Sequence, residues 1–298
     1  MAFADLGRLG TLACSHADGV ATVALAREEK LNAICADMHR DFRTVLDQLE
    51  TDPAVRCLVL TGTGRAFCSG QDLTENLPVA SDGRPDLATA LDRDYNPLVA
   101  RLAALQIPTI AAVNGIAAGA GANLALVCDI VLAAQGATFV EAFCRIALVP
   151  DCGGTWLLPR LVGRQRALAM MLTGEPVDAE TARDWGMVWK VLPGENFRDD
   201  VQSFAARLAR GPTASFAMTK RAVDAAWGKP LVMNVSMPIA AVLLDLDFPA
   251  TMIKAIPLLA RTGGLLAHIA EEQTRPIGFL MASHAEDAIA YDGGGSAG

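Results

Sequence analysis

The sequence predicts a layered α/β fold in which strand–turn–helix units are followed by a helical region. Short aliphatic runs of strand length, such as Cys57-Leu58-Val59-Leu60 and Thr109-Ile110-Ala111-Ala112-Val113, end in glycine-punctuated turns. A segment of helical periodicity or a long apolar helix follows these turns, so the unit recurs as a layered sheet requires and a helix bundle does not. Beyond residue 160 successive helical stretches replace the strands, and 298 residues, 52% of them hydrophobic, give ample core.

Residues 11–25 alternate as a strand pair that turns at Asp18-Gly19. Over residues 32–49, Ile34, Met38, Phe42, Val45, Leu46 and Leu49 fall on one face, which predicts a helix. Residues 57–60 form a buried strand that stops at Thr61-Gly62-Thr63-Gly64. The polar, proline-bounded residues 78–85 read as a surface loop, residues 87–105 as a helix and 109–113 as a strand. Residues 129–133 and a short piece at Phe139 are further strands, and helices are expected at 164–172, 179–185, 197–209 and 213–227. There is no repeat of fixed period, and the Gly293-Gly294-Gly295 triplet is expected to fray.

Twenty-five basic and 33 acidic residues give a net charge of −8, which argues against a nucleic-acid-binding surface. No basic, then apolar, leader pattern opens the sequence, so no secretory signal is expected. The apolar run Ile239-Ala240-Ala241-Val242-Leu243-Leu244 meets Asp245 and Asp247 too soon to span a bilayer. No membrane partner and a cytoplasmic location are the expectation. The seven cysteines, an odd number without any Cys-x-x-Cys pair, read as small buried hydrophobes rather than a disulfide framework or zinc site. His16, His39, His268 and His284 share no ligand spacing, so no metal is predicted.

Chemistry concentrates in three places. In Val113-Asn114-Gly115-Ile116-Ala117-Ala118-Gly119-Ala120-Gly121-Ala122-Asn123 a buried strand breaks into a glycine turn and then an apolar helix. Free backbone N–H groups and a helix N-terminus suit developing negative charge there. Arg65-Ala66-Phe67-Cys68-Ser69-Gly70-Gln71-Asp72 is a second glycine turn offering an N–H near Gln71. Either turn alone is explained by the need for positive φ. Two donors aimed at one oxygen make an oxyanion hole, in which losing one donor typically costs ~3–4 kcal/mol of barrier.

The third place is Val149-Pro150-Asp151-Cys152-Gly153-Gly154. An aspartate after proline is often a plain turn residue. Here Leu148, Val149, Trp156 and Leu157 are expected to desolvate Asp151 and raise its pKa toward the range of a base. Cys152 has no histidine near it in sequence and reads as a packing residue. Asn123, of low propensity inside an apolar helix, points to a role as cap or ligand contact. Glu141 alternates against Val140 and Ala142 and is expected to face solvent or another subunit. Trp185 and Trp189 read as core or subunit-contact residues.

Four motifs in order resemble the crotonase, or enoyl-CoA hydratase/isomerase, superfamily over residues 12–230. They are Arg27-Glu28-Glu29-Lys30-Leu31-Asn32-Ala33, Phe67-Cys68-Ser69-Gly70-Gln71-Asp72, Asn114-Gly115 through Gly121, and Pro150-Asp151-Cys152-Gly153-Gly154-Thr155. The resemblance implies a crotonase (ClpP-like) fold of repeated strand–strand–helix units with a C-terminal helical region. It divides the chain into a core over 1–195, a helical trimerisation region over 196–230 and an atypical tail over 231–298. It also implies a homotrimer or dimer of trimers acting on an acyl-CoA, with coenzyme A entering as part of the substrate and no separate cofactor.

By the same resemblance the N–H groups of Gln71 and Ala120 are the oxyanion donors and Asp151 shuttles protons. Arg27, Lys30, Leu31 and Ala33, with Glu28 where proline is usual, line the coenzyme A channel. Ser69, Asp72, Leu73, Asn123, Val140 and Phe143 complete the substrate and coenzyme contacts.

Asn123 and Phe143 stand where the hydratase subgroup carries its two glutamates, which argues against simple hydration and for the isomerase subgroups with a single acid. Arg93-Asp94-Tyr95-Asn96-Pro97-Leu98-Val99 and residues 149–160 and 184–189 resemble the isomerase branch that acts on ring-epoxidised phenylacetyl thioesters. An aryl-CoA dehalogenase, which carries tryptophan where Phe143 stands, is an alternative, as is a 3-enoyl to 2-enoyl isomerase. A non-catalytic scaffold is a third: both donor turns and the acid speak against it, the unusual C-terminal region for it. From Leu231 the resemblance stops in an apolar stretch with Pro238, Pro249, Pro257 and Pro276, as an altered reading frame would produce.

Overall fold

The computed structural model describes residues 2–75 and 87–228, all within the compact unit Met1–Leu231. Expectations about residues 78–85 and 231–298 lie outside the described residues.

Strands β1 (Arg8–Leu9), β2 (Leu12–Ala17) and β3 (Val20–Leu25) form an antiparallel meander. Its β2–β3 turn falls at Asp18-Gly19, where φ of 54° and 76° gives the twist a tight hairpin needs. Helix α1 (Ala36–Thr51) leads to β4 (Cys57–Gly62) and β5 (Ala66–Cys68). Helices α2 (Leu87–Ala90) and α3 (Asn96–Ala104) are joined through a widened π-helical turn at Leu91–Tyr95. Next come β6 (Thr109–Val113), β7 (Ile116–Ala118), α4 (Ala120–Val127), β8 (Ile130–Ala134) and β9 (Thr138–Val140). Helices α5 (Gly154–Val162) and α6 (Arg164–Thr173) follow, then β10 (Val177–Asp178), α7 (Ala179–Asp184), β11 (Lys190–Leu192), α8 (Phe197–Ala209) and α9 (Thr213–Gly228).

Two sheets result, one ordered β1-β2-β3-β4-β6-β8-β11 and the other β10-β9-β7-β5. Pairing from β3 to β11 is parallel, as is pairing among β5, β7 and β9. The chain steps from the large sheet to the small one three times, β4 to β5, β6 to β7 and β8 to β9. This is the strand–strand–helix repeat. Both faces of the large sheet are covered, which is why its central strands are continuous aliphatic runs rather than alternating ones. One face packs Val23, Leu58, Leu60 and Val113 with α1, α3 and α4, and the other packs Val59, Ile110 and Leu132 against Phe197, Val201 and Ala205 of α8. Arg56 donates to Ala209 O at 2.6 Å and Gly211 O at 2.7 Å, and Lys220 pairs with Asp129 at 2.8 Å, so α8 and α9 are fastened to the sheet.

Two expected helices change on folding. Helix α1 begins at Ala36 rather than at residue 32, because Leu31 and Asn32 adopt left-handed φ of 50° and 58°. Asn32 is fully buried there: its Oδ1 accepts Arg27 N at 2.9 Å, and its Nδ2 donates to Thr63 O at 2.9 Å and Ala66 O at 2.8 Å. Asparagine tolerates this conformation better than most residues, and the hydrogen bonds hold it. The helix expected over 87–105 is interrupted by the π turn, a feature often found at functional sites. Strands β5 and β7, three residues each, are too short to show a period and form through long-range pairing. Among the described residues no helix is long and apolar enough to cross a membrane.

Replacing Asn32 with alanine removes three hydrogen bonds, to Arg27 N, Thr63 O and Ala66 O, of which Ala66 O keeps Asn114 Nδ2 at 3.2 Å, and it removes the left-handed preference. Asn32→Ala is expected to cost roughly 2–4 kcal/mol. Urea unfolding checks it as a lower midpoint at unchanged slope, and an unchanged midpoint contradicts it.

Candidate active site

Beyond β5 the chain turns through Gly70, whose φ is 93°. Ile34 N donates to Gly70 O at 2.7 Å and Asp72 N donates to Ile34 O at 2.8 Å. With those two groups engaged on one side, the Gln71 N–H faces the other. Beyond β7 the chain turns through Gly119, with φ of 53°, into α4. Ala120 is the first residue of that helix, and its N–H has no intrahelical acceptor.

The two turns touch. A Cβ on Gly70 would lie 2.8 Å from Ala118 O and 3.6 Å from Ala120 N, and one on Gly121 would lie 2.5 Å from Cys68 O. Main chain packs on main chain, a closeness that glycine alone permits. The Gln71 and Ala120 N–H groups therefore belong to one place, suited to an oxygen that gains negative charge.

Asn123, one turn along α4 from Ala120, is fully buried, and its Nδ2 donates to Asp151 O at 3.0 Å. The same carbonyl accepts Gly154 N at 2.9 Å. A Cβ on Gly154 would lie 2.3 Å from Asn123 Nδ2, so the glycine lets the Asp151 loop close on α4. Asp151 Oδ1 is buried without a partner, and desolvation raises the carboxyl pKa above the usual 3.8, opposed by a hydrogen bond from Cys152. The Cys152 thiol is itself pushed up by burial and then by the Asp151 charge.

The source of that desolvation differs from the sequence expectation. Val149 is 77% exposed and Trp156 47% exposed with the Arg160 guanidinium stacked on its ring, while Leu148 also reaches the surface. Asp151 is covered from the interior, where Asn123, Cys152, Glu141 and Tyr95 act on it. Glu141 is likewise not solvated: it is 1% exposed. Strand β9 ends at Val140 and the chain turns into a 3-10 segment at Ala142–Ile146, so two-residue alternation no longer decides which way Glu141 faces. Trp189 is exposed, so it is not a core residue, and Trp185 is partly buried beside Arg166.

Tyr95 closes the π turn, and its hydroxyl donates to Gln71 Oε1. Its ring meets His39 edge-on at 4.3 Å. Burial holds the His39 pKa down to about 4, so the imidazole is neutral. The π turn shifts the helical phase at Tyr95, which is why periodicity did not place this residue at the site.

The first motif is strapped to the Gln71 turn. Arg27 donates to Ala33 O at 2.6 Å and pairs with Asp72 at 2.9 Å. Asp72 also accepts the Thr74 hydroxyl at 2.6 Å and Thr74 N at 3.0 Å, and these bonds with Arg27 hold its pKa down to about 2. Ser69 N donates to Leu31 O at 3.0 Å, and Ser69 Oγ to Lys30 O at 3.2 Å. Lys30 Nζ reaches Thr74 Oγ1 at 3.4 Å, and Leu73 is exposed. Gly119 N donates to Val140 O at 2.8 Å, and the Phe143 ring stands 3.7 Å from where a Gly119 Cβ would be. Val140 and Phe143 are thus buried on the Ala120 side of the site.

The model of the family described as enoyl-CoA hydratase/isomerase matches residues 15–239. The chain belongs to this family. A 1,2-epoxyphenylacetyl-CoA isomerase from Escherichia coli K12 is 49% identical over 213 residues, 71% of this chain and 81% of its own length. A 4-chlorobenzoyl coenzyme A dehalogenase-2 from Arthrobacter sp is 34% identical over 214 residues, 72% of this chain and 77% of its own. Among solved structures, an enoyl-CoA hydratase from Mycobacterium avium subsp. paratuberculosis aligns with a TM-score of 0.68 at 33% identity, covering 84% of this chain and 96% of that one. The two-sheet architecture is accordingly the crotonase fold, and the chain is a member of an enzyme family.

The Asp72 brace has a pH signature. Its folded pKa is depressed to about 2 from 3.8, so its contribution is present above pH 3.8 and lost as pH falls toward 2. Asp72→Asn is expected to lower the thermal midpoint at pH 7 and to flatten its fall between about pH 4 and pH 2. Parallel curves for the two proteins would contradict the brace.

Proposed function

We propose that this protein is an acyl-CoA isomerase that converts 2-(1,2-epoxy-1,2-dihydrophenyl)acetyl-CoA to oxepin-CoA, or shifts a 3-enoyl to a 2-enoyl double bond by the same steps. The observation that carries the reading is the fastening of Asp151 through Asn123 one helical turn from the Ala120 N–H. A base with its pKa raised by burial then stands beside a pair of amide donors. The isomerase relative supports the substrate class.

In this mechanism the thioester oxygen lies between the Gln71 and Ala120 N–H groups. Asp151 takes the α-proton as the oxygen gains enolate charge. The ring carbon–carbon bond of the arene epoxide opens to the seven-membered oxepin, and the proton returns to a ring carbon. Atoms and electrons balance within the substrate, so no separate cofactor enters. The Arg27–Ala33 strap, with Lys30 and Leu31, lines the coenzyme A channel, while Ser69, Asp72 and Leu73 continue it. Val140 and Phe143 cover the ring, and Asn123 positions the acid. The same reading makes the enzyme a cytoplasmic homotrimer or dimer of trimers.

Incubation with ring-epoxidised phenylacetyl-CoA and, separately, with a 3-enoyl-CoA, followed by mass and absorbance, distinguishes the two substrates. Asp151→Asn is expected to lower kcat by about 10³-fold, within the range of general acid–base catalysis. Thioester binding by calorimetry should stay within a few-fold of wild type. Full turnover in that variant would move the chemistry to another acid.

A further inference from the structure

The hydrogen bonds around Asp151 do not close if both neighbouring acids are ionised. Asp151 Oδ1, Glu141 Oε2 and Asn123 Oδ1 are all buried and without a partner. With both carboxyls ionised, each of these oxygens is an acceptor only. The donors at hand are the Asn123 amide nitrogen, which reaches Asp151 O at 3.0 Å and lowers the Glu141 pKa, and the Cys152 thiol, which acts on the Asp151 carboxyl, and with both in place these three oxygens stay unpartnered. Asn123 cannot swing away, because the Gly154 backbone is pressed against its amide. One acid proton corrects the deficit by turning a carboxyl oxygen into a donor beside orphaned acceptors.

Glu141 is the better holder of that proton. It is 1% exposed, whereas Asp151 is only partly buried. From α4 it faces the uncharged Asn123, and from the loop before α5 it faces the Asp151 carboxylate and the Cys152 thiol. No basic side chain compensates it among the described residues. Arg145 turns to Gly174 O at 2.6 Å, and Asp178 at the β10 edge caps Thr181 N at 2.7 Å.

We propose that Glu141 is a positioning residue, the proton-bearing half of a carboxyl pair with Asp151, which keeps the pair at a single negative charge and holds Asn123 and the Asp151 loop for proton transfer. The proposal rests on the isomerase reading for its effect on turnover, and on structure alone for the state of the pair. Burial first, and then the Asp151 charge, raise the Glu141 pKa to about 8 against the opposing Asn123 bond. Above that pH a second buried anion stands beside the enolate, so turnover falls as pH rises through this range. Stability has the same sign. The folded protein keeps the Glu141 proton to about pH 8 and the unfolded chain releases it near 4.5, so stability declines between those values.

The test uses full-length wild type and Glu141→Gln. With either thioester, the alkaline fall in kcat is expected to move up by at least about one pH unit in the variant, or to vanish. Without substrate, the thermal midpoint of the variant relative to wild type should rise by about 4 °C between pH 6 and pH 9. Superimposed pH–rate profiles with a pH-independent difference in midpoint would overturn the pair. If neither thioester turns over but the midpoint difference changes as expected, the isomerase reading has failed and the pair stands. Should the variant not fold, infrared spectra of wild type decide. A buried protonated-carboxyl band present at pH 7 and lost by pH 10 supports the proposal, and its absence at pH 7 overturns it.

Discussion

The contact between two backbone turns, Gly70 against Ala118–Ala120 and Gly121 against Cys68, organises what lies around it. It exists because β5 and β7 are parallel neighbours in the small sheet, with Ala66 opposite Ile116 and Cys68 opposite Ala117. Each turn leaves its strand at the same end, so the next N–H of each, on Gln71 and on Ala120, arrives at the same place. Side chains play no part in that convergence, which makes the donor identities at 71 and 120 tolerant and the glycines at 70 and 121 intolerant. The strap from Arg27 to Asp72 then pins the first turn to the left-handed bend at Leu31-Asn32. Asn32 carries the constraint on to Thr63 and Ala66. Stability and site geometry share these residues.

Charge at the site is governed by burial, not by ion pairing. Arginines 27, 93 and 101 pair with acids outside the Asp151 cluster, and no cation touches Asp151 or Glu141 among the bonds of the described residues. An unpaired anion in such surroundings is costly to hold. That cost raises the pKa of both carboxyls and makes fixed amide dipoles the available means of stabilising charge on a bound oxygen. Neutral His39 behind Tyr95 fits the same pattern.

Much of the scaffold was legible because it rests on local signals. The Asp18-Gly19 hairpin, the apolar face of α1 and the long aliphatic strands follow from turn chemistry and periodicity. The two glycine turns and Asp151 could be singled out from residue type alone. What escaped has a common cause, since each feature depends on where another segment arrives. Helix α1 starts late because Ile34 is taken by the Gln71 turn, and Tyr95 faces Gln71 because a π turn shifts its phase. Alternation points Glu141 outward, but the strand stops one residue earlier, at Val140. Leu148, Val149 and Trp156 point outward, and the groups that act on Asp151 are its buried neighbour Cys152 and residues of α4, the π turn and the segment after β9.

The substitutions at 123 and 143 acquire a physical meaning in this setting. A carboxylate at each position would join Asp151 and Glu141 in one poorly solvated space, and like charges so close cannot all ionise. Asparagine at 123 instead donates a hydrogen bond and adds no charge, while phenylalanine at 143 sets an apolar ring against the Gly119 turn. In the proposed reading the site then keeps a single negative charge on the Asp151–Glu141 pair and an apolar ring beside the Ala120 turn. Such a balance favours moving hydrogen within a bound thioester over adding water to it, which is why isomerisation is the chemistry proposed for this member of the family.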